Sequence, residues 1–213
     1  MSAPDLPAVP ASELAHVRGL VADGRRRLLG LVGPPGAGKS TLALALQAAF
    51  ADISQIVPMD GFHLANAQLR ALGRADRKGA PDTFDSAGFV ALLQRLRRQT
   101  SDETVYLPEF RREIEEPIAG AIAVCAATRL LIVEGNYLLL DQGPWVQVAG
   151  LLDETWYVDV DDRLRTGRLL QRHQQFGRSA QQAQAWVAGT DEPNARLIAS
   201  TRPRASRVFR WGD

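Results

Sequence analysis

The sequence predicts a three-layer α/β fold in which a parallel sheet is covered by helices on both faces. Short and continuously apolar segments, such as residues 28–32 and 130–133, are typical of strands buried on both sides. Segments with apolar residues at helical spacing separate these strands, as in other folds of this class. A length of 213 residues with 46% hydrophobic content suits one domain, 1–213, with a single set of layers.

Each strand is predicted from an apolar run and each helix from apolar residues three or four positions apart. The predicted strands are 28–32, 53–58, 104–107, 129–133, 155–160 and 207–211. The predicted helices are 12–22, 39–50, 86–98, 162–175 and 179–198. Ser12 is expected to cap the first helix. Residues 68–82, which are polar and rich in glycine and arginine, are expected to form a mobile loop over a site.

Composition argues against several classes of protein. The 25 basic and 24 acidic residues are interspersed and give a net charge of +1, so the one-signed surface of a nucleic-acid binder is not expected. Cys125 is the only cysteine, which excludes an internal disulfide and fits a reducing, cytoplasmic location. The longest apolar run, 130–140, is interrupted by Glu134 and Asn136, and neither a signal peptide nor a membrane span is predicted.

Residues 33–40 form a P-loop, because they read Gly-Pro-Pro-Gly-Ala-Gly-Lys-Ser and match G-x-x-x-x-G-K-[ST]. Backbone N–H groups of such a loop turn toward phosphates, Lys39 reaches the β- and γ-phosphates, and the Ser40 hydroxyl can bind Mg²⁺. The chain has only two lysines, so chance would produce this match on the order of once in a thousand such chains. We therefore predict binding of ATP and Mg²⁺. The predicted nucleotide-binding residues are Gly33, Pro34, Pro35, Gly36, Ala37, Gly38, Lys39, Ser40 and Thr41.

Two carboxylates follow predicted strands. Glu134 ends an apolar strand, where it can reach the metal beside Ser40 or simply face solvent. Asp60 ends the second strand, and the carboxyl ends of parallel strands border the ligand crevice. Asp60 is therefore either the group that accepts the proton of an attacking hydroxyl or a turn residue that opens Asp60-Gly61.

The chain resembles the phosphoribulokinase, uridine kinase and pantothenate kinase group of P-loop kinases. The matching segments, in the order of that group, are 33–41 (GPPGAGKST), 59–63 (MDGFH), 78–85 (KGAPDTFD), 131–136 (LIVEGN) and 157–161 (YVDVD). The resemblance spans roughly residues 28 to 211 and implies transfer of the γ-phosphoryl group of ATP to a hydroxyl of a small metabolite. It also implies that Asp60 is the catalytic base, that Glu134 is the metal-side carboxylate, and that the arginines after Asp161 form a lid, about 162–178.

The lid arginines have the spacing of one helical face. Arg165, Arg168 and Arg172 lie at i, i+3 and i+7, so their guanidinium groups can converge on the transferring phosphates. The alternative is a solvated basic face, and Arg163 and Arg178 are expected to belong to it. The segment 191–194 resembles the family's segment before its last strand, where the adenine packs, and this resemblance implies that Asn194 contacts the nucleotide.

The acceptor is not fixed by the sequence. The chain is most similar to small bacterial members labelled nucleoside kinase-like or fructose-transport-system kinase, which carry a segment like 108–112. The candidate acceptor-binding residues are His63, Glu109, Arg111 and Arg112, and the arginines would serve an acceptor with a phosphate or carboxylate. Each of the four could instead be an ordinary surface residue. His16 and His173 are expected to be structural.

The acceptors considered are a sugar such as fructose, a nucleoside and a pantothenate-like alcohol. The competing interpretation is a P-loop regulatory NTPase that switches a partner without phosphorylating a metabolite. A GTPase of that kind needs N-K-x-D, and neither Lys39 nor Lys78 follows an asparagine. The sequence leaves open whether two copies assemble into a homodimer.

Overall fold

The computed structural model describes residues 6–211, within which seven α-helices and seven strands form. The helices are α1 (Ala11–Leu20), α2 (Lys39–Ala49), α3 (Asn66–Ala71), α4 (Ser86–Arg98), α5 (Asp162–Gln175), α6 (Ala180–Trp186) and α7 (Glu192–Ser200). The strands are β1 (Arg27–Val32), β2 (Ser54–Pro58), β3 (Thr104–Arg111), β4 (Glu116–Cys125), β5 (Leu130–Gly135), β6 (Glu154–Asp159) and β7 (Arg207–Arg210). Of these helices, none is long and apolar enough to cross a membrane.

A five-stranded parallel sheet in the order β2-β5-β1-β6-β7 forms the middle layer. Successive side chains of β1 point to opposite faces, so Leu28 packs with Phe89 of α4 and Leu29 packs with Leu42 of α2. Both faces of the sheet are therefore buried under helices. This arrangement confirms the predicted three-layer α/β fold.

The predicted strand at 104–107 is not part of this sheet. It extends to Arg111 as β3 and pairs in an antiparallel hairpin with β4, which the sequence did not predict. β4 was missed because Pro117 and Gly120 interrupt its pattern and most of its side chains are exposed. The hairpin contains a bulge between Leu107 and Glu109. The intervening carbonyl, that of Pro108, would be only 2.3 Å from a Cβ at Gly61, so the hairpin packs directly on the turn after β2.

Two helix predictions also differ from the structure. The predicted helix at 179–198 is divided into α6 and α7 by a π-helical turn, Val187–Asp191. Pro193 in the first turn of α7 has no N–H to donate, and the Glu192 N–H donates to the Val187 carbonyl across the π-turn. Ser12 does not cap α1, because the helix already begins after Pro10 and no side chain caps it.

The segment 68–82 contains the end of α3 and two short 3₁₀ turns rather than continuous loop. Its Gly79 carbonyl accepts hydrogen bonds from the Tyr137 hydroxyl and, at 3.3 Å, from the Asn194 amide. Trp145 donates to the Pro81 carbonyl at 3.3 Å. The segment is thus attached to the body of the fold, and its mobility stays a prediction.

Candidate active site

The carboxyl ends of β1, β2 and β5 meet at one edge of the sheet, because neighbouring parallel strands run in the same direction. The loop after β1, the turn after β2 and the last residues of β5 border a cavity of about 660 Å³. Lys39, Ser40, Asp60 and Glu134 all lie on its wall. The cavity therefore brings together the four residues that the sequence singled out most strongly.

The P-loop has the form of a phosphate cradle. At Gly36 φ is +81°, and a Cβ there would lie 2.8 Å from the backbone oxygen of Arg165, so only glycine fits this position. The Lys39 ammonium donates to the carbonyls of Gly33 and Pro34 at 2.8 and 3.0 Å. No side chain caps the N-terminus of α2, so its first N–H groups can bind an anion. The loop residues Pro35, Gly38 and Thr41 line the cavity, whereas the Ala37 side chain packs in the core.

Ser40 and Glu134, which were predicted to lie beside a metal, are hydrogen-bonded to each other. The Ser40 hydroxyl donates to a Glu134 carboxylate oxygen at 2.8 Å. Burial raises the pKa of Glu134, and the nearby charge of Asp60 raises it further. Burial lowers the pKa of Lys39 to about 8, although Glu134 and Asp60 act in the opposite direction. A hydroxyl and a carboxylate beside an ammonium group are chemically suited to a magnesium-phosphate complex.

The chain offers few metal ligands of its own. Within residues 6–211, no group of three or more His, Cys, Asp or Glu side chains is close enough to hold an ion. Mg²⁺ commonly takes one or two protein oxygens and completes its shell with phosphate oxygens and water. The donor set of Ser40 and Glu134 therefore fits an ion that arrives with a nucleotide.

Asp60 lies in the 3₁₀ turn Met59–Phe62, and its carboxylate faces Arg112. An Arg112 Nη2 donates to it at 3.3 Å. Burial raises the pKa of Asp60, but the positive charges of His63 when protonated, Arg112, Lys39 and Arg172 outweigh burial and place this pKa below its ordinary value. A turn residue would accept a bond from a backbone N–H. Of the residues described, it is Arg112 that donates to the carboxylate of Asp60.

His63 lies beside Asp60 in an aromatic setting. Its ring centroid is 4.0 Å from that of Phe84 and 4.6 Å from that of Phe110, and its Nδ1 is 2.8 Å from the Asp60 carbonyl oxygen. Burial lowers the pKa of His63 despite the nearby Asp60 charge. His63 is thus a largely neutral group on the cavity wall at neutral pH.

The remaining acceptor candidates lie in different places. Arg112 lines the main cavity together with Phe110, whereas Glu109 and Arg111 do not. Arg111 is exposed and forms an ion pair with Glu109 at 2.8 Å. Glu109 borders a smaller groove of about 360 Å³, which is also lined by Asp60 and Arg112. Glu109 therefore lies near Asp60, although it is outside the cavity that holds Lys39, and its contact with an acceptor stays a prediction.

The three predicted lid arginines do not all lie on the wall of the cavity. Arg168 and Arg172 line the cavity, but Arg165 is buried beneath the first turn of α5. Two of its guanidinium nitrogens are held, at 2.5 Å by Glu192 and at 3.0 Å by Asp162, and the third, Nη1, is buried without a hydrogen-bond partner among the described residues. The lining of the cavity does not include Arg165, and its contact with nucleotide stays a prediction. The Glu192 carboxylate that fixes this guanidinium comes from the first turn of α7.

Residues expected to be structural or solvated lie on the same wall. His173 Nε2 donates to Asp191 Oδ2 at 2.7 Å, and Arg178 Nη1 donates to His173 Nδ1 at 2.7 Å. Arg178 also stacks 3.9 Å above the ring of Trp186. These side chains, like Lys78, line the cavity. No sequence pattern pointed to these residues, because a π-turn and the end of α5 bring them together.

Asn194 is buried on this wall. Its amide contacts Gly79, in the segment that carries Lys78, rather than the P-loop. A Cβ at Gly38 would meet Trp211 Nε1 at 3.4 Å and Arg168 Nη1 at 3.7 Å. The contact of Asn194 with the adenine therefore stays a prediction, because its amide bonds to Gly79 and not to the P-loop.

Known proteins resemble this chain over most of its length. Residues 28–202 match the sequence model described as the Phosphoribulokinase / Uridine kinase family. ATP-dependent kinase-like protein notR' of Aspergillus versicolor is 39% identical over 68% of this chain and 88% of its own. The provisionally named uridine kinase C227.14 of Schizosaccharomyces pombe is 36% identical over 78% and 74%, respectively. A crystal structure from Silicibacter sp. TM1040, provisionally named a fructose transport system kinase, is 38% identical and covers 92% of this chain and 97% of its own, with a TM-score of 0.82.

Proposed function

The chain belongs to the phosphoribulokinase and uridine kinase family, and we propose that it transfers the γ-phosphoryl group of ATP to a hydroxyl of a small metabolite. It is a small-molecule kinase, and its family implies the use of ATP, typically with Mg²⁺. The observation that carries the proposal is the convergence of Lys39, Ser40, Glu134 and Asp60 on one cavity. This set combines a phosphate cradle with a carboxylate able to accept a proton.

The nucleotide half of the cavity is built from the P-loop. Backbone N–H groups at the start of α2 and the Lys39 ammonium bind phosphate oxygens. Ser40 and Glu134 would hold Mg²⁺, which when bound offsets the charge of the β- and γ-phosphates. Arg168 and Arg172 line the opposite wall, where their guanidinium groups can stabilise charge in the transition state.

Asp60 is the proposed base. During transfer the acceptor oxygen bonds to the γ-phosphorus, the bond to the β-phosphate oxygen breaks, and the hydroxyl proton passes to Asp60. The lowered pKa of Asp60 keeps its carboxylate ionised at neutral pH, and the bond from Arg112 orients it. A positioned carboxylate in this role contributes about 10²- to 10⁴-fold.

We further propose that residues 1–213 form one kinase domain in which about 162–178 closes over bound ATP. Candidate acceptors follow from the names of the relatives and from the family. They are a sugar such as fructose, a nucleoside such as uridine, and a pantothenate-like alcohol. His63 and Arg112, which border Asp60, are proposed to contact whichever of these is bound.

The test is release of ADP with and without added acceptor. Purified protein is supplied with Mg-ATP and, separately, with fructose, uridine, pantothenate, hydroxy acids and sugar phosphates. A kinase shows release that depends on one class of acceptor and is abolished by Lys39→Ala. Slow turnover that ignores every compound, in protein that still binds ATP, would contradict the proposal and favour a regulatory NTPase.

A further inference from the structure

The arginines of the lid wall follow the cavity away from the P-loop. Arg168 approaches Gly38, with its Nη1 3.7 Å from the position of a Cβ there. Arg172 lies one helical turn further, about 6 Å along the axis. Arg172 lines the cavity together with Asp60 and with Asp191 of the π-turn. Arg178 follows the end of α5 in the chain and lines the same cavity.

Arg178 is held in a fixed orientation by neutral groups. One face of its guanidinium covers Trp186 at 3.9 Å, and Nη1 donates to His173 Nδ1 at 2.7 Å. Because arginine can only donate, this contact fixes the histidine proton on Nε2, which donates to Asp191 at 2.7 Å. The guanidinium is thus oriented by an accepting ring nitrogen and an aromatic face rather than by a carboxylate.

Arg178 has no direct ion pair with an acid among the described residues. Within residues 6–211, no carboxylate oxygen lies within 4.0 Å of its guanidinium, and Asp191 reaches it only through His173, whereas Arg165 in α5 has two carboxylate partners. Lys78, also on the cavity wall, bonds directly to the Asn66 side-chain oxygen at 2.7 Å and to the Glu115 carbonyl, while the charges of Glu115 and Glu116 act on it from further away. This part of the cavity wall thus presents a guanidinium without a directly bound carboxylate.

An oriented guanidinium with free donors is suited to a carboxylate or phosphate, which it can bind through two parallel hydrogen bonds. A neutral sugar hydroxyl would leave the guanidinium without an anion in direct contact. The triphosphate of ATP already has four groups of donors near it, namely the P-loop, Lys39, Arg168 and Arg172. Arg178 on the same cavity wall therefore suits a second anion, which the acceptor would carry.

We propose that the phosphoryl acceptor carries a carboxylate or phosphate group in addition to its hydroxyl, and that Arg178 binds this group. The proposal rests on the proposed kinase function. It narrows the acceptor to a small hydroxy acid or sugar phosphate and makes neutral sugars and nucleosides poor substrates.

The first experiment compares acceptors that share a carbon skeleton and differ in charge. Glycerol, glycerate and glycerol 3-phosphate form one set, and ribose, ribonate and ribose 5-phosphate form the other. We expect an anionic member to support ADP release with a kcat/KM at least about 10-fold above that of its neutral partner. The responding member also distinguishes a carboxylate from a phosphate.

The same assay separates failure of this inference from failure of the proposed function. If fructose, uridine or another neutral compound stimulates ADP release as well as the anionic compounds do, or better, the kinase function stands and the anionic acceptor is wrong. If no compound of either charge stimulates release, both proposals fail.

The second experiment tests Arg178 itself. Arg178→Gln removes the charge but keeps a polar side chain, Arg178→Lys keeps the charge but loses the planar fork, and Arg163→Gln is a matched control on an exposed part of α5. We expect Arg178→Gln to raise the KM for the anionic acceptor about 10- to 100-fold, with a smaller rise for Arg178→Lys. The KM for ATP and the thermal midpoint should stay near wild type.

Two results would overturn the role of Arg178. A rise in the KM for ATP, with the acceptor KM unchanged, would assign Arg178 to the nucleotide. Equal losses on an anionic acceptor and on its neutral partner would show that Arg178 supports the lid rather than reads the charge of the acceptor.

Discussion

Replacing Asp60 by asparagine tests whether this residue accepts a proton or only shapes a turn. Asparagine has nearly the same size, supports the same turn geometry and cannot act as a base at neutral pH. If Asp60 is the base, its loss affects the transition state and leaves ground-state binding largely intact. We expect turnover to fall by roughly 10²-fold or more, while the affinity for ATP changes little.

The same substitution should have a small effect on stability. The carboxylate makes one contact with Arg112 at 3.3 Å, and the two side chains are 35% and 38% exposed. Partly exposed ion pairs of this kind contribute about 0–1 kcal/mol. In a chain of this length such a loss lowers the thermal midpoint by about 2–4 °C at most. A large loss of turnover with a nearly unchanged midpoint therefore indicates chemistry rather than misfolding.

The assay is kcat on the acceptor found by ADP release, with the midpoint measured on the same samples. Glu113→Gln is the matched control, because it removes an exposed carboxylate at the end of the β3–β4 hairpin that borders neither the main cavity nor the smaller groove. The pH profile gives a second readout. Since the pKa of Asp60 is lowered, wild-type activity should fall only in acid below the usual carboxylate range, and Asp60→Asn should lose that dependence. Turnover of Asp60→Asn within a few-fold of wild type would refute the assignment, and Glu134 would be the next candidate.

Four other outcomes follow from the site. Lys39→Ala and Lys39→Arg should both lose most activity with the fold retained. The arginine variant should fail because the larger planar guanidinium does not replace a point charge in a tight loop. Near-normal turnover of Lys39→Arg would contradict this. ATP binding should weaken as pH rises through about 8 and should then be accompanied by uptake of a proton, because only protonated Lys39 pairs with phosphate. Calorimetry above this pH, in buffers of different ionisation enthalpy, should show the uptake. Lys39→Ala should abolish it. Hydrogen exchange over 163–177 should slow when a non-hydrolysable ATP analogue binds, and protection confined to 33–41 would argue against a lid. Glu192→Gln should reduce the free energy of unfolding by about 1–3 kcal/mol, because buried Arg165 loses its closest partner; an unchanged denaturation midpoint would show that Asp162 alone suffices.

The sequence predicted the residues that strand ends place together. The P-loop, Asp60 and Glu134 each follow an apolar run, and parallel strands deliver their carboxyl ends to one edge whatever the side chains in between. Boundaries of α4 and α5 were also predicted: α4 carries a regular apolar face, and α5 begins directly after Asp161, whose side chain caps it. Local pattern and topology were sufficient for these features.

The remaining site residues depend on packing that has no local signature. Arg165 has the spacing of a lid residue, yet Glu192 from a distant helix determines where its guanidinium lies. Arg178 reaches the cavity only because Trp186 and His173 hold it there. The orientation of Arg112 depends on the pairing of β3 with a strand that contains proline and glycine. Glu192 and β4 are distant in sequence from the residues they position, and His173 and Trp186, although within eight residues of Arg178, belong to two different helices.

The hairpin of β3 and β4 is separate from the five-stranded sheet, and this separation could be used in protein engineering. It brings Phe110 and Arg112 to the catalytic turn, yet it shares no strand pairing with the sheet that carries the P-loop. Its end could be exchanged for that of a relative without disturbing the hydrogen bonds beneath the nucleotide. Such an exchange must preserve the contact between Pro108 and Gly61. Any side chain at Gly61 would push the new segment away from Asp60.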